Sequence, residues 1–278
     1  MTETLEIPQI EDVIAKLGTL PAMPAVVMDL VASIDDESID MEQLTHKIER
    51  DQALTSKTLR VANSAFFGLA GKVGSIREAA TIIGLRSIRS IALASALGGV
   101  MRREGDKAML CHFWTHAFMT AVAGRELAGR VGVSAEHAFV AGLLHDIGKL
   151  AVAYFYPDIE ARLEQYCKDH AASWCEAELA LGMPTHGQIG SALARRWHFP
   201  EPLCAALDDY HADCDMPLAR LIYVADLLAA CHAAAGGERI FINEIDEHAW
   251  HAVIHDERDL QRALCVMHSA AEMAVCMV

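Results

Sequence analysis

A chain of 278 residues that is 53% apolar can bury a large core, as one big domain or two packed subdomains, without staples. Its formal charge of −15 repels phosphate backbones, and Lys and Arg nowhere cluster beyond pairs such as Arg102/Arg103 and Arg195/Arg196, which argues against direct nucleic-acid binding. Eight cysteines without a C-x-x-C pair or a leader ahead of them point to reduced thiols, and the most apolar uncharged stretches, 90–100 and 111–124, fall short of the roughly 20 residues of a bilayer span. The expectation is a soluble, cytoplasmic protein with no membrane association.

Apolar residues recur at helical spacing almost throughout, and alternating strand-like runs bounded by Asn-Gly or Asp-Gly turns are absent, so the expected class is all-α. From the N-terminus, Pro24 opens a helix over 25–34, Asp40 precedes one over 41–50, Asp51 precedes one over 52–63, and two more cover 75–83 and 85–102. Arg102-Arg103-Glu104-Gly105-Asp106 then breaks the apolar pattern and marks a subdomain boundary, dividing the chain into 1–105 and 106–278. Past it, a long helix covers 107–130, a Ser134-capped helix ends near His145, and another starts near Lys149. Ser173-Trp174-Cys175-Glu176 has the capping-box spacing, Pro184 suits the first turn of a helix through Trp197, and Pro202 opens another towards His211. Two long apolar helices over 217–234 and 257–277 complete the chain, which has no fixed-period repeat and no low-complexity segment.

The strongest local signal is Gly142-Leu143-Leu144-His145-Asp146-Ile147-Gly148-Lys149, where an imidazole and a carboxylate interrupt a strongly apolar run. Such groups are expensive to bury unless paired or metal-bound. A His followed by Asp puts a nitrogen donor and a potentially bridging carboxylate at one helix end, able to serve two adjacent cations, and Gly148 is expected to let the backbone turn straight afterwards. His116, His186, His211 and Asp226 lie on separate expected helices, each inside an apolar environment, so a bundle can bring them to one depth. Gly190, four residues after His186, leaves room for a metal or a neighbouring helix. Four imidazoles and two carboxylates suit a pair of borderline transition metals, namely iron, manganese, zinc or nickel, held about 3.5–4 Å apart by a bridging carboxylate. The chemistry of such a site is attack of metal-activated water on phosphorus, with Asp146 and Lys149 as the catalytic candidates and Lys149 placed to neutralise a phosphate oxygen.

For a lone His among 14, the default is a surface or hydrogen-bonded core residue. His112, one turn before His116, is an alternative ligand. His248, His251 and His255 share one face of an expected helix, but no carboxylate partner is evident. The methionines and cysteines read as core filler.

The order His, His-Asp, His, His, Asp resembles the HD superfamily of metal-dependent phosphohydrolases, with His145-Asp146-Ile147-Gly148-Lys149 similar to its HD-x-G-K form. More specific are Leu20-Pro21-Ala22-Met23-Pro24, Asp51-Gln52-Ala53-Leu54-Thr55, Arg60-Val61-Ala62-Asn63-Ser64-Ala65-Phe66-Phe67-Gly68, Ser75-Ile76-Arg77-Glu78-Ala79 and His186-Gly187-Gln188-Ile189-Gly190. These resemble the HDOD family, a bacterial HD-related output domain, over nearly the whole chain. The resemblance implies an N-terminal helical subdomain packed on an HD-type helical bundle, a role in bacterial signalling or regulation, and a small phosphorylated ligand or a signalling protein as partner. Many HDOD proteins have lost HD ligands, whereas the set here is complete, which implies a dinuclear metal site at His116, His145, Asp146, His186, His211 and Asp226, and as the alternative an active phosphohydrolase. His211-Ala212 departs from the paired histidines of the cyclic di-GMP hydrolases, and no Gly-Tyr-Pro motif follows His145-Asp146. A single His at that place also resembles the HD-type diiron oxygenases.

Overall fold

The computed structural model describes residues 7–20, 25–33, 40–63, 73–97, 107–208, 215–235 and 246–274. Among these there is no strand, so the class is all-α. The first helices are α1 (Ile10–Leu17), α2 (Ala25–Ala32), α3 (Met41–Glu49), α4 (Gln52–Ala62), α5 (Ile76–Ile83) and α6 (Leu85–Leu97). There follow α7 (Lys107–Leu127), α8 (Ala135–Leu144), α9 (Ile147–Phe155), α10 (Pro157–His170), α11 (Trp174–Leu181), α12 (His186–Arg196), α13 (Glu201–Asp208), α14 (Pro217–Ala235), α15 (Glu247–Val253) and α16 (Glu257–Ala274). The expected boundary at 105 and the segments 21–24 and 64–72 lie outside the described residues.

Helices begin where short polar side chains can satisfy the free backbone N–H groups of a first turn. Asp40 accepts from the Gln43 amide at 2.7 Å, Asp51 from Leu54 at 2.9 Å and Ser75 from Glu78 at 3.1 Å. Ser173 and Glu176 form the reciprocal box. Thr185, rather than Pro184, starts α12: its hydroxyl accepts from the Gln188 amide at 3.2 Å and its own amide donates to Gln188 Oε1 at 3.0 Å, leaving Pro184 outside the helix. α15 ends at Val253, so His255 does not share a helix with His248 and His251, and all three are exposed.

α7 is the centre of the C-terminal helices and packs against α8, α14 and α16. Phe118 of α7 meets Phe139 of α8 edge-on, with centroids 5.7 Å apart. At Gly142 the backbone of α8 lies so close to Ala121 of α7 that an added Cβ would be 2.7 Å from its Cα. α12 packs between α9 and α13. Although first in the chain, α1 lies on α12, where Arg196 Nη2 donates to the Gly18 carbonyl at 3.0 Å and Lys16 Nζ sits 3.9 Å above the Tyr156 ring.

α2 to α6 pack on one another and reach the C-terminal helices mainly through α6 and α8. The junction is polar and buried. Arg89 donates to the Ser33 carbonyl and lies 3.6 Å from Glu136, which also accepts from Ser90 Oγ at 3.0 Å. Cys111, Cys167, Cys175, Cys204, Cys231 and Cys265 are free thiols. The run Ala135–Phe155, which carries Glu136, Asp146 and Lys149, is long and apolar enough to span a bilayer by length and composition. It is two helices broken at His145-Asp146, and most of it is buried inside the protein.

Candidate metal centre

Five helices converge on one point. His116 lies in the middle of α7 and Asp226 in the middle of α14, while His145 and Asp146 join α8 to α9 and His186 is the first residue of α12. His145, Asp146 and His186 thus stand at a helix break or a helix start, whereas His116 and Asp226 project from helix interiors.

His116 Nε2 is 2.8 Å from Asp226 Oδ1 and 3.9 Å from Asp146 Oδ2. His145 Nε2 lies 3.5 Å from both of those oxygens, and His186 Nε2 lies 3.5 Å from the other Asp146 oxygen, Oδ1. One ligand atom each from His116, His145 and Asp146 falls within a 4.8 Å cluster, the one such group among the described residues. Metal–ligand bonds of about 2.0–2.2 Å put neighbouring donors around one ion about 3.0–3.5 Å apart, so these spacings and this nitrogen-and-carboxylate set fit a transition-metal ion. The structure thus brings together five of the six expected ligand residues. The sixth, His211, lies outside the described residues.

The orientation of His145 is fixed by backbone. Its Nδ1 is 2.8 Å from the Gly142 carbonyl, which can only accept, so Nδ1 carries a proton and Nε2 is turned to the carboxylates. Burial works to lower the His145 imidazole, but Asp146 and Asp226 outweigh it and raise its pKa above the usual value. Burial would raise Asp146, yet the His145, Lys149 and His186 charges hold it well below the usual carboxylate range. Asp226 is depressed likewise, against burial, by His145 and by hydrogen bonds from His116 and His145. Lys149 donates to Asp146 Oδ2 at 2.8 Å; burial lowers it, but Asp146 and Asp226 prevail and hold it as the ammonium.

Exposure divides the site. The side chains of Lys149, Asp226 and His116 are 27%, 25% and 19% exposed, against 0% for His145 and 1% for His186, so the constellation opens to solvent on the first side and is sealed on the second.

One expectation changes in the structure, and two alternatives are decided by it. Gly148 is not at a turn; it is the second residue of α9, and a Cβ there would run into the His186 carbonyl oxygen, so its lack of a side chain is what lets α9 approach the start of α12. Of the two roles expected for Gly190 it takes the second, room for a neighbouring helix: a Cβ would be 3.2 Å from Ile147 Cγ2 and 3.5 Å from the Gly148 amide, both of α9. His112 is exposed, and it is His116 whose ring lies beside His145, with centroids 5.2 Å apart. Sequence reasoning missed Glu178, a fully buried carboxylate of α11 whose Oε2 is 2.8 Å from His186 Nδ1. A helical Glu eight residues from the His it meets carries no local signal; Trp174, one turn before it and bonded to it at 2.9 Å, is the nearest to one.

A family model described as the HDOD domain matches residues 20–213. A candidate phosphohydrolase from Shewanella amazonensis SB2B is 26% identical and superposes with a TM-score of 0.76, covering 96% of this chain and 98% of that one. An HDOD domain protein of unknown function from Geobacter sulfurreducens, 19% identical, shares the fold with a TM-score of 0.77 over 95% of this chain and 96% of that one. An uncharacterized protein from Treponema pallidum (strain Nichols) is 25% identical over 198 residues, 70% of this chain, and the chain spans 38% of that relative's length.

Proposed function

The chain belongs to the HDOD domain family, and on that premise we propose that it is a bacterial signalling protein whose helical scaffold holds a pair of transition-metal ions. The observation that carries this reading is the orientation of Asp146, with Oδ2 towards His116 and His145 and Oδ1 towards His186. One carboxylate that serves two groups of donors is what a bridging ligand does. His116, His145, Asp226 and His186 supply the remaining described ligands, and His211 is the expected sixth. Iron, manganese, zinc and nickel all suit this set.

When bound, such ions act as Lewis acids and activate water towards phosphorus. Around them, Lys149 places a cation on the open side beside Asp226 and His116, where a phosphate oxygen of a small ligand can approach. That placement favours a second reading, an active phosphohydrolase in which Asp146 and Lys149 serve the reaction. The two differ only in turnover, since a regulatory site binds the same ligand without cleaving it.

Elemental analysis of the untreated protein beside a His145→Ala, Asp146→Ala double variant tests the metal reading. The expected result is close to two ions per wild-type chain and none in the variant; equal metal in both overturns it. A screen of phosphomonoesters and nucleotides then separates the two readings, hydrolysis above the variant's level supporting the enzyme.

A further inference from the structure

We propose that Glu178 is a positioning residue that decides which nitrogen of His186 faces the metal centre. The inference rests on the metal-binding reading above only through His186. Glu178 is fully buried, beside Leu179, which is 64% exposed, so its carboxylate points into the protein from a helix whose other face meets water. A carboxylate in that position is costly unless its oxygens are occupied.

Both are. Oε1 accepts from Trp174 Nε1 at 2.9 Å and from the His186 backbone amide at 3.0 Å, and Oε2 lies 2.8 Å from His186 Nδ1. The amide is one of the free N–H groups at the start of α12, where a negative charge is also favoured by the helix dipole. An ionised carboxylate only accepts, so Nδ1 must carry the proton. In the neutral ring this leaves the lone pair on Nε2, the nitrogen 3.5 Å from Asp146 Oδ1. Gly142 makes the same choice for His145 through a backbone carbonyl that no substitution can alter. At His186 the acceptor is a side chain, which makes the choice testable.

Glu178→Gln keeps the shape and should invert the choice. Two N–H donors fix the Oε1 position as the amide oxygen, so the NH2 group must face Nδ1. A donor there requires Nδ1 to accept, which moves the ring proton to Nε2 and removes the lone pair that would bind a metal.

The experiment is nitrogen NMR of histidine-labelled, chelator-treated protein together with zinc titration by calorimetry. Wild type is expected to show His186 protonated on Nδ1, and Glu178→Gln on Nε2 with zinc binding weaker by about 10- to 100-fold, the usual effect of losing a ligand's supporting partner. Trp174→Phe, which removes only one donor to Oε1, should keep the wild-type tautomer and bind zinc within a few-fold of wild type. A wild-type His186 protonated on Nε2 overturns the proposal, and this result needs no variant to fold. So does a Glu178→Gln protein with unchanged tautomer and unchanged zinc affinity. Wild type that takes up no zinc sinks the metal reading instead, and the tautomer spectrum still decides the role of Glu178.

Discussion

The two walls of the constellation are built differently. On the sealed side, His145 and His186 are fully buried, and each has its Nδ1 held by an acceptor, the Gly142 carbonyl or Glu178. On the open side, His116, Asp226 and Lys149 are partly exposed, with His116 paired to Asp226 and Lys149 to Asp146. Direction is thus fixed by neighbours where water is excluded, and charge is offered to solvent where a ligand can enter.

The sealed wall is broken most severely at Gly148. Gly148→Ala pushes a methyl into the His186 carbonyl, and α9 and α12 must separate. The expected loss is about 3 kcal/mol of stability together with the metal, read by thermal melting and elemental analysis. A variant that melts and loads like the parent would show that the close helix approach is not what holds that wall.

Proton competition sharpens the comparison, because His145 on the sealed side sits between both carboxylates. A metal needs its neutral ring, and with its pKa raised above the ordinary value of about 6.5, zinc uptake should be weak below that pH and strengthen as pH rises past it. Protein stability in chelator should follow the opposite sign for this residue: its contribution is present below about pH 6.5 and lost as pH climbs through the raised folded value. Asp146 and Asp226, depressed in the fold, contribute above about pH 3.9 and lose that contribution as pH falls further. Calorimetric titrations and melts across pH check all three; zinc affinity that is flat from pH 6 to 8, on the order of those ordinary values, would remove His145 from the ligand set.

On the open wall, Lys149→Ala should leave metal content intact and weaken the binding of inorganic phosphate about tenfold, or roughly 1.4 kcal/mol. Loss of metal instead would assign Lys149 to holding Asp146 rather than a ligand. Smallest is Ala171→Gly, away from both walls. Ala171 ends α10 in the left-handed region with φ of 50°, so glycine should gain about 0.5–1 kcal/mol in a melt with no change in metal content.

Much of this was legible in the residues. Asp40, Asp51, Ser134 and Ser173 announce their helices because a short polar side chain satisfies the first turn locally. α1 leaves little trace in the sequence, because Gln9 is a weak start signal and eight residues give little periodicity. His116, His145, Asp146, His186 and Asp226 stood out as polar interruptions of apolar runs. Glu178 did not, since a glutamate within a short helix reads as a solvated residue until the fold buries it. Gly148 suggests a turn because backbone freedom is visible in a sequence, whereas the nearness of another helix is not.

The break between α8 and α9 has a consequence once the fold is lost. Extended, 135–155 is a ribbon of mostly oily side chains, and ribbons from neighbouring molecules can adhere before either chain recovers its shape. Recovery on cooling should therefore fall as protein concentration rises, and dilute protein, which refolds before neighbours meet, is where variants are compared.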